Sequence, residues 1–380
     1  MYRLRLPFCV IDCCGLGHRR VSEVFTTIGR MDNGHGNQTA NALLGPSGAA
    51  EAPSDQSPVV VVCGSINVDT FVGLQQFPAP GETMIGRRGL QGLGGKGANQ
   101  AVASAHMGVE TLLLASVGQT SADNPAEPLD PLALLAVKEL QQHGVNTEFI
   151  ARTNEPTGQA FIMNDASGEN IIIVTSGANE LTSPAAHVDL VKELSATRPI
   201  PVVLAQGELT PAHSAELPAL AEAAGARLLL NLAPVTTKDP DLVAAADPLI
   251  LNELEAADIT GLSRETPMEE VFTALTQVSR SAVVTLGAEG AAVIDSDGVT
   301  RVPAPKVDAI VDTTGAGDAF CGTLAAVVAT GASLAEATRL AVAAGSLATQ
   351  KPGAAGSYAT GQQVRTLAAD GAAEFEGENR

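Results

Sequence analysis

The string Gly92-Leu-Gly94-Gly-Lys-Gly97 satisfies GxGxxG, the pattern of a dinucleotide-binding turn, and its reading decides which α/β fold the chain adopts. The pattern carries that meaning only after a buried strand, and the residues before it, Ile85–Gln91, include Gly86, Arg87, Arg88 and Gly89. The following apolar run, Thr111–Val117, ends in no Asp or Glu to hold a ribose, and no GxxxxGK[ST] string occurs. A nicotinamide dehydrogenase and a P-loop enzyme are set aside. The glycines suit another purpose. Backbone without β-carbons lets a hydroxylated ligand approach, Lys96 can donate to its oxygens, and Asn99 can grip a diol where a loop enters a helix.

Working outward, strand and helix signals alternate from Pro58 onward. Val59–Cys63 is a continuous apolar run closed by Gly64, as a buried strand should be. Further runs lie at Leu112–Val117, Val202–Ala205, Leu228–Leu232, Leu249–Leu251 and Val283–Leu286. Between them fall helical stretches, Ala98–Met107, Leu132–Gln142, Ala212–Ala224 and Pro267–Arg280. That rhythm predicts βαβ units in a doubly wound, mainly parallel sheet flanked by helices. Asp69–Leu90 and Gly158–Val174 break it with short extended pieces between Pro, Gly and Asn/Asp turns, which predicts a small β-sheet lid (about 68–92 and 156–176) at the strand ends where open α/β sheets bind ligands.

A second string, Asp312-Thr-Thr-Gly315-Ala-Gly-Asp318, precedes the small-residue helix Ala319–Thr330. Small residues at a helix start leave backbone N–H groups bare, and the macrodipole adds local positive potential. Read alone, this is equally an anion hole with Asp318 facing it or an ordinary capped turn with a stabilising carboxylate.

The charge balance narrows the partners. With 22 Lys+Arg against 42 Asp+Glu, the net charge of −20 argues against nucleic acid or an anionic membrane surface as partner. A phosphorylated ligand stays possible, because amides and metal ions suffice for it. Residues 1–57 hold five basic and five acidic groups, so the whole excess falls on the rest of the chain. Residues 31–58, the end of that leader and the first residue after it, are rich in Gly, Asn, Ser, Ala and Pro without helical or strand period. The leader is expected to lie outside the fold, as a disordered extension or the product of a start codon placed too early, with Met31 as another candidate. Domain organisation is thus a leader, 1–57, and one domain, 58–380. The five cysteines include no CxxC pair and the six histidines are scattered, which points to a reduced, cytoplasmic setting and away from structural zinc. No apolar stretch approaches the roughly 18 residues of a membrane span.

From about residue 58 to 360 the chain resembles the ribokinase/PfkB family of carbohydrate kinases, and its ribokinase branch most. The segments that carry the resemblance are Gly64-Ser-Ile-Asn67-Val-Asp69, Phe77-Pro-Ala-Pro-Gly-Glu-Thr83, Gly94-Gly-Lys-Gly-Ala-Asn-Gln-Ala101, Asn252-Glu-Leu-Glu255, Thr285-Leu-Gly287, Asp312–Asp318 and Lys351-Pro-Gly-Ala-Ala-Gly-Ser357. Each alone is weak; together, in order, they are specific.

The resemblance implies ATP-dependent phosphorylation of D-ribose at its 5-hydroxyl, giving ribose 5-phosphate and ADP. Asp318 takes the role of base, and Gly315, Ala316 and Gly317 that of anion-hole amides. Asn67, Asp69, Gly95, Lys96, Asn99 and Glu208 match sugar contacts. Asn231, Thr285, Gly287, Gly317 and Val342 match nucleotide positions, and Glu255 an outer-sphere partner of Mg²⁺. Asp312, Thr314, Ala348, Lys351, Gly353 and Ser357 match a K⁺ site, and a homodimer through the lid is the family's usual assembly. Three features depart from the pattern: Gln119-Thr120 leading into a longer loop to Pro131, Leu232 where Pro is common, and Val342 where a polar residue often meets adenine. Other acceptors remain open, namely deoxyribose, fructose or a nucleoside. A non-enzymatic binder of the same fold fits poorly, since it has no use for Asp318 beside an anion hole.

Overall fold

The computed structural model describes residues 56–120, 128–167 and 169–378, all within the compact unit Glu51–Arg380, with side chains to 370. The leader up to residue 55 and most of the loop 119–131 lie outside the described residues.

β1 (Val59–Cys63) is buried at every position, because its neighbours cover both faces. The chain then crosses Gly64–Ile66 into β2 (Asn67–Gly73), returns in β3 (Arg87–Gly94), and after Gly95 enters α1 (Lys96–His106). β4 (Glu110–Leu114) follows, then β5 (Ser116–Gly118), which pairs with β6 (Ala151–Thr153). β7 (Gly158–Asn164) and β8 (Asn170–Thr175) complete a four-stranded lid of order β3-β2-β7-β8. Both lid pieces therefore stand where the turn-broken segments predicted them.

β9 (Val202–Gln206), β10 (Arg227–Asn231), β11 (Ala246–Asn252), α2 (Glu253–Thr260), β12 (Ala282–Thr285), β13 (Ala291–Asp295) and β14 (Gly298–Val302) follow, then α3 (Ala316–Ala329) and α4 (Leu334–Ala348). The central sheet has the order β14-β13-β12-β11-β10-β9-β1-β4. Its pairings are parallel from β4 to β12 and antiparallel through β13 and β14. Because β4 lies on one side of β1 and β9 on the other, the order reverses between β1 and β9, opening a crevice at their carboxyl ends.

Two apolar clusters sandwich the sheet. On one face α1, α3 and α4 pack through Ala, Val and Gly. A β-carbon on Gly322 of α3 would stand 2.6 Å from that of Ala103 on α1, so the missing side chain is what lets these helices approach. Their closeness brings the first turns of α1 and α3 to the same crevice.

Candidate active site

Four chain segments meet at the β1/β9 switch point. The link after β1 brings Ser65 and Asn67, the β3–α1 junction Gly95 and Lys96, the residues after β9 Glu208, and the first turn of α3 Asp318. The Glu208 carboxylate joins three of these segments. Its Oε2 accepts the Lys96 backbone N–H at 3.0 Å and a very short bond from the Ser65 hydroxyl. Gly95 sits at φ 88°, and a β-carbon there would lie 2.7 Å from the Asn67 nitrogen. The loop accepts only glycine at that point.

Asp318 is 6 % exposed, yet both its oxygens are satisfied from α1. Asn99 Nδ2 donates to Oδ2 at 3.1 Å and Gln100 Nε2 to Oδ1 at 3.0 Å, while the Lys96 ammonium stands 3.8 Å from Oδ1. That neighbour raises Lys96 above the usual lysine range against the opposing effect of burial, so it stays a cation. Behind Gln100 runs a buried amide chain. Gln206 Nε2 donates to Gln100 Oε1 at 2.9 Å, Gln100 Nε2 also reaches Asn231 Oδ1 at 3.1 Å, and Asn231 Nδ2 donates to the Ile250 carbonyl at 3.2 Å. A carboxylate only accepts, so Asp318 fixes which way each amide points.

On the lid side, Asn67 is buried and its Oδ1 accepts from Asn179 Nδ2 at 2.8 Å. Asn179 also clamps Ile66 through its N–H (2.9 Å) and its carbonyl (3.0 Å). Asp69, on β2, is pushed up to about 6 by burial and by the negative charges of Glu208 and Asp318. Asn99 Oδ1 is a buried acceptor without a partner among the described residues. A cleft of about 300 Å³ lined by Ser65, Asn67, Asn179, Glu208, Val174 and Pro234 opens between the lid and β9. These acceptors and donors around a small concave space suit a polyol.

α3 begins with Gly315 in the left-handed region, φ 76°, with no side-chain cap. The Ala316 N–H turns back to the Thr313 carbonyl at 3.2 Å, so of the three expected hole amides this one is engaged. Beside it, Asp312 Oδ1 accepts from Thr314 N at 2.9 Å and Oδ2 from Gly353 N at 2.8 Å. Burial raises Asp312, but those backbone donors outweigh it and hold the carboxyl below its usual range. Ser357 Oγ donates to the Ala354 carbonyl at 2.7 Å, and Lys351 N to that of Ala348 at 3.4 Å. Asp312, Thr314 and Gly353 are thus brought together, with Ala348 at the end of α4 and Lys351 and Ser357 in the loop that follows it, and a carboxylate with carbonyls is the donor chemistry of a hard cation. Among the described residues no group of three or more His, Cys, Asp or Glu could hold a metal ion.

The nucleotide positions divide. Asn231, Thr285 and Gly287 stand at carboxyl ends of β10 and β12, with Thr285 Oγ1 donating to the Leu251 carbonyl at 3.4 Å. Val342 is 6 % exposed and packs into the apolar cluster with α3, so its side chain serves the core. Glu255 forms a capping box with Asn252 at the start of α2: each backbone N–H is accepted by the other's side chain at 2.8 Å. Burial raises its carboxyl despite the Asn252 donor and the Lys96 charge.

Four residues were missing from the sequence-level site: Ser65, Gln100, Asn179 and Gln206. Gln206 had a visible signal, a polar residue closing the apolar run Val202–Ala205. Asn179 had none.

A model of the pfkB family carbohydrate kinases matches residues 58–360. The mouse ribokinase is 34 % identical over 278 residues, spanning 71 % of this chain and 82 % of that protein. The deoxyribokinase of Salmonella typhi is 32 % identical over 271 residues, 70 % of this chain and 84 % of that one. The solved structure of Arabidopsis thaliana ribokinase complexed with ribose and ATP superposes with a TM-score of 0.70 at 29 % identity, covering 82 % of this chain and 99 % of that one. With the match spanning the whole sheet, the lid and the Asp318 helix, this chain belongs to the pfkB family of carbohydrate kinases.

Proposed function

We propose that this chain transfers the γ-phosphoryl group of ATP to the 5-hydroxyl of D-ribose, giving ribose 5-phosphate and ADP. The observation that carries the reading is Asp318, a buried carboxylate held by Asn99 and Gln100 at the start of α3 and facing the polar crevice of Lys96, Asn67 and Glu208. As the sugar's O5 forms its bond to the γ-phosphorus, the bond from that phosphorus to the β-phosphate oxygen breaks and Asp318 receives the hydroxyl proton. A loose phosphoryl transfer asks more of positioning than of base strength, which suits a carboxylate fixed by two amides. Asp69, Asn67, Asn99, Lys96, Gly95 and Glu208 are assigned to the sugar, with Asp69 accepting from two vicinal hydroxyls. Gly315 and Gly317 supply amides to charge growing on the transferring group, with Ala316 holding the turn that aims them.

Glu255 is the residue assigned to Mg²⁺, an ion that would supply neutralising charge to the phosphates of the nucleotide. A monovalent cation, the K⁺ that the family resemblance implies, is assigned to Asp312, Thr314, Ala348, Lys351, Gly353 and Ser357, several of them acting through backbone carbonyls. Asn231, Thr285 and Gly287 border the nucleotide. A cytoplasmic homodimer is the assembly proposed, and the exposed Ile171, Ile172, Ile173 and Val174 of the lid support it. Among the described residues no helix is long and apolar enough to cross a membrane.

Assaying D-ribose, 2-deoxy-D-ribose, D-fructose and nucleosides at equal concentration, with ATP, Mg²⁺ and K⁺, tests the acceptor. Ribose is expected to give the highest kcat/KM. A deoxyribose, fructose or nucleoside preference of about tenfold or more, some 1.4 kcal/mol in transition-state binding, overturns it.

A further inference from the structure

Tyr358 ends the loop that carries Gly353 and Ser357, and its ring is packed in the apolar cluster among α1, α3 and α4. The residue is 6 % exposed, and its hydroxyl has no hydrogen-bond partner among the described residues. A buried phenol normally finds a partner, because leaving it dry and unpaired is costly. The hydroxyl is aimed at the start of α3. It lies 2.8 Å from the point where a β-carbon on Gly315 would stand, the same distance as the Cα and Cβ of Ala354. Gly315 is therefore doubly constrained, by its φ of 76° and by the hydroxyl that fills the space of its missing side chain. Burial first, and then the charge of Asp318, hold the phenol far above its usual range, so it keeps its proton and remains a donor.

An unpaired donor at a helix start whose amides already favour negative charge is what an arriving anion completes. Asp318 is excluded as its acceptor in the free protein by the absence of any bond between them in the described structure. We propose that the Tyr358 hydroxyl is a further donor of the anion hole, giving its hydrogen to an oxygen of the phosphoryl group in flight. This rests on the reading of the α3 start as the phosphoryl site. It extends that reading to a side chain among otherwise backbone donors.

The orphaned hydroxyl makes two opposite demands, and Tyr358→Phe separates them. Removing it deletes an unsatisfied group, so the free protein's melting midpoint should rise by about 1–2 °C. Removing a donor to developing charge should lower kcat about tenfold with the KM for the acceptor unchanged within about twofold. The planar phosphoryl analogue formed by ADP, Mg²⁺ and aluminium fluoride should bind about tenfold more weakly to the variant, and ADP alone equally well. A role in packing alone moves neither kcat nor the analogue. A lowered midpoint shows that the hydroxyl has a partner in the free protein and overturns the proposal, as does equal loss for ADP and the analogue. The analogue also separates the two readings. If the wild type phosphorylates another acceptor, the ribose assignment fails while Tyr358 is still judged. If the wild type binds the analogue no better than ADP, the anion hole and its new donor fall together.

Discussion

α3 and α4 are consecutive helices of similar make-up, and each carries an acid three residues after its N-cap: Gly315-x-x-Asp318 in one, Ser333-x-x-Glu336 in the other. The structures built on that shared spacing differ completely. Ser333 Oγ accepts from the Glu336 N–H at 3.2 Å, and Glu336 turns to solvent, bonded to Arg339 one turn on. Gly315 offers no side chain, and Asp318 turns inward to Asn99 and Gln100. α2 repeats the capped version with Asn252 and Glu255. A carboxylate in the first turn is thus shared by ordinary capped helices and by the candidate site at α3. In α4 and α2 the capping side chain consumes an amide that a ligand would otherwise use, whereas the Gly315 cap leaves the start of α3 without one.

Substitutions that break this contrast should have graded effects. Asp318→Asn keeps the shape and removes the proton acceptor, so kcat should fall about 10³-fold with ribose binding retained, as single-turnover and equilibrium titration would report. Gly315→Ser imports the α4 arrangement into α3, against a positive φ and the 2.8 Å contacts of Ala354 and Tyr358. A loss of about 10²-fold in kcat is expected, and retention of wild-type turnover would show that the bare cap is incidental. Gln100→Met removes one charge-assisted donor while filling the same volume. Steady-state kinetics should show about a tenfold lower kcat with KM little changed, the size of one such bond.

Asp69 offers a third kind of carboxylate, with neither helix start nor amide donors to hold its charge. With its value at about 6, it is charged above that pH and neutral below it. Its capacity to accept two hydroxyls is therefore present at neutral pH and lost on acidification. KM for the sugar should rise roughly fourfold from pH ~7 to ~5.5, and Asp69→Asn should raise KM and abolish this dependence. The smallest effect belongs to the capped helix: Ser333→Ala should cost about 1 kcal/mol of stability by denaturant titration and leave turnover untouched.

Much of this was legible in the chain. The run Val59–Cys63, the alternation that followed it and the two turn-broken pieces of the lid were read at nearly their observed places. Where the reading failed, one-dimensional apolarity hid a three-dimensional division. The run Leu112–Val117 is one apolar string, yet it splits at Ala115 into strands of two sheets. Ala212–Ala224 breaks into Pro211–Ser214 and Leu217–Ala224, with Pro218 entering the second helix at its first turn, and the helix expected over Pro267–Arg280 ends at Leu275. The antiparallel β13–β14 edge left no separate trace. In the site, Asn99 and Asp318 were visible because their neighbours are small and turn-forming. The Gln206–Gln100 chain was not, because its meaning comes from a contact across more than a hundred positions. Val342, a nucleotide position implied by the resemblance and already a departure from its usual polar residue, packs into the apolar cluster with α3.

The lid is tied into the sheet without slack. Three residues separate β1 from β2, and a single glycine separates β3 from α1. A cover on long tethers would be independent of what lies beneath it; here β2 and β3 run directly into the segments that carry Ser65, Gly95 and Lys96. β3 leads through Gly95 into the helix whose first residues present Lys96, Asn99 and Gln100 to Asp318. The strands that border the cleft and the helix whose amides hold Asp318 are therefore one continuous stretch of backbone, joined through a single residue.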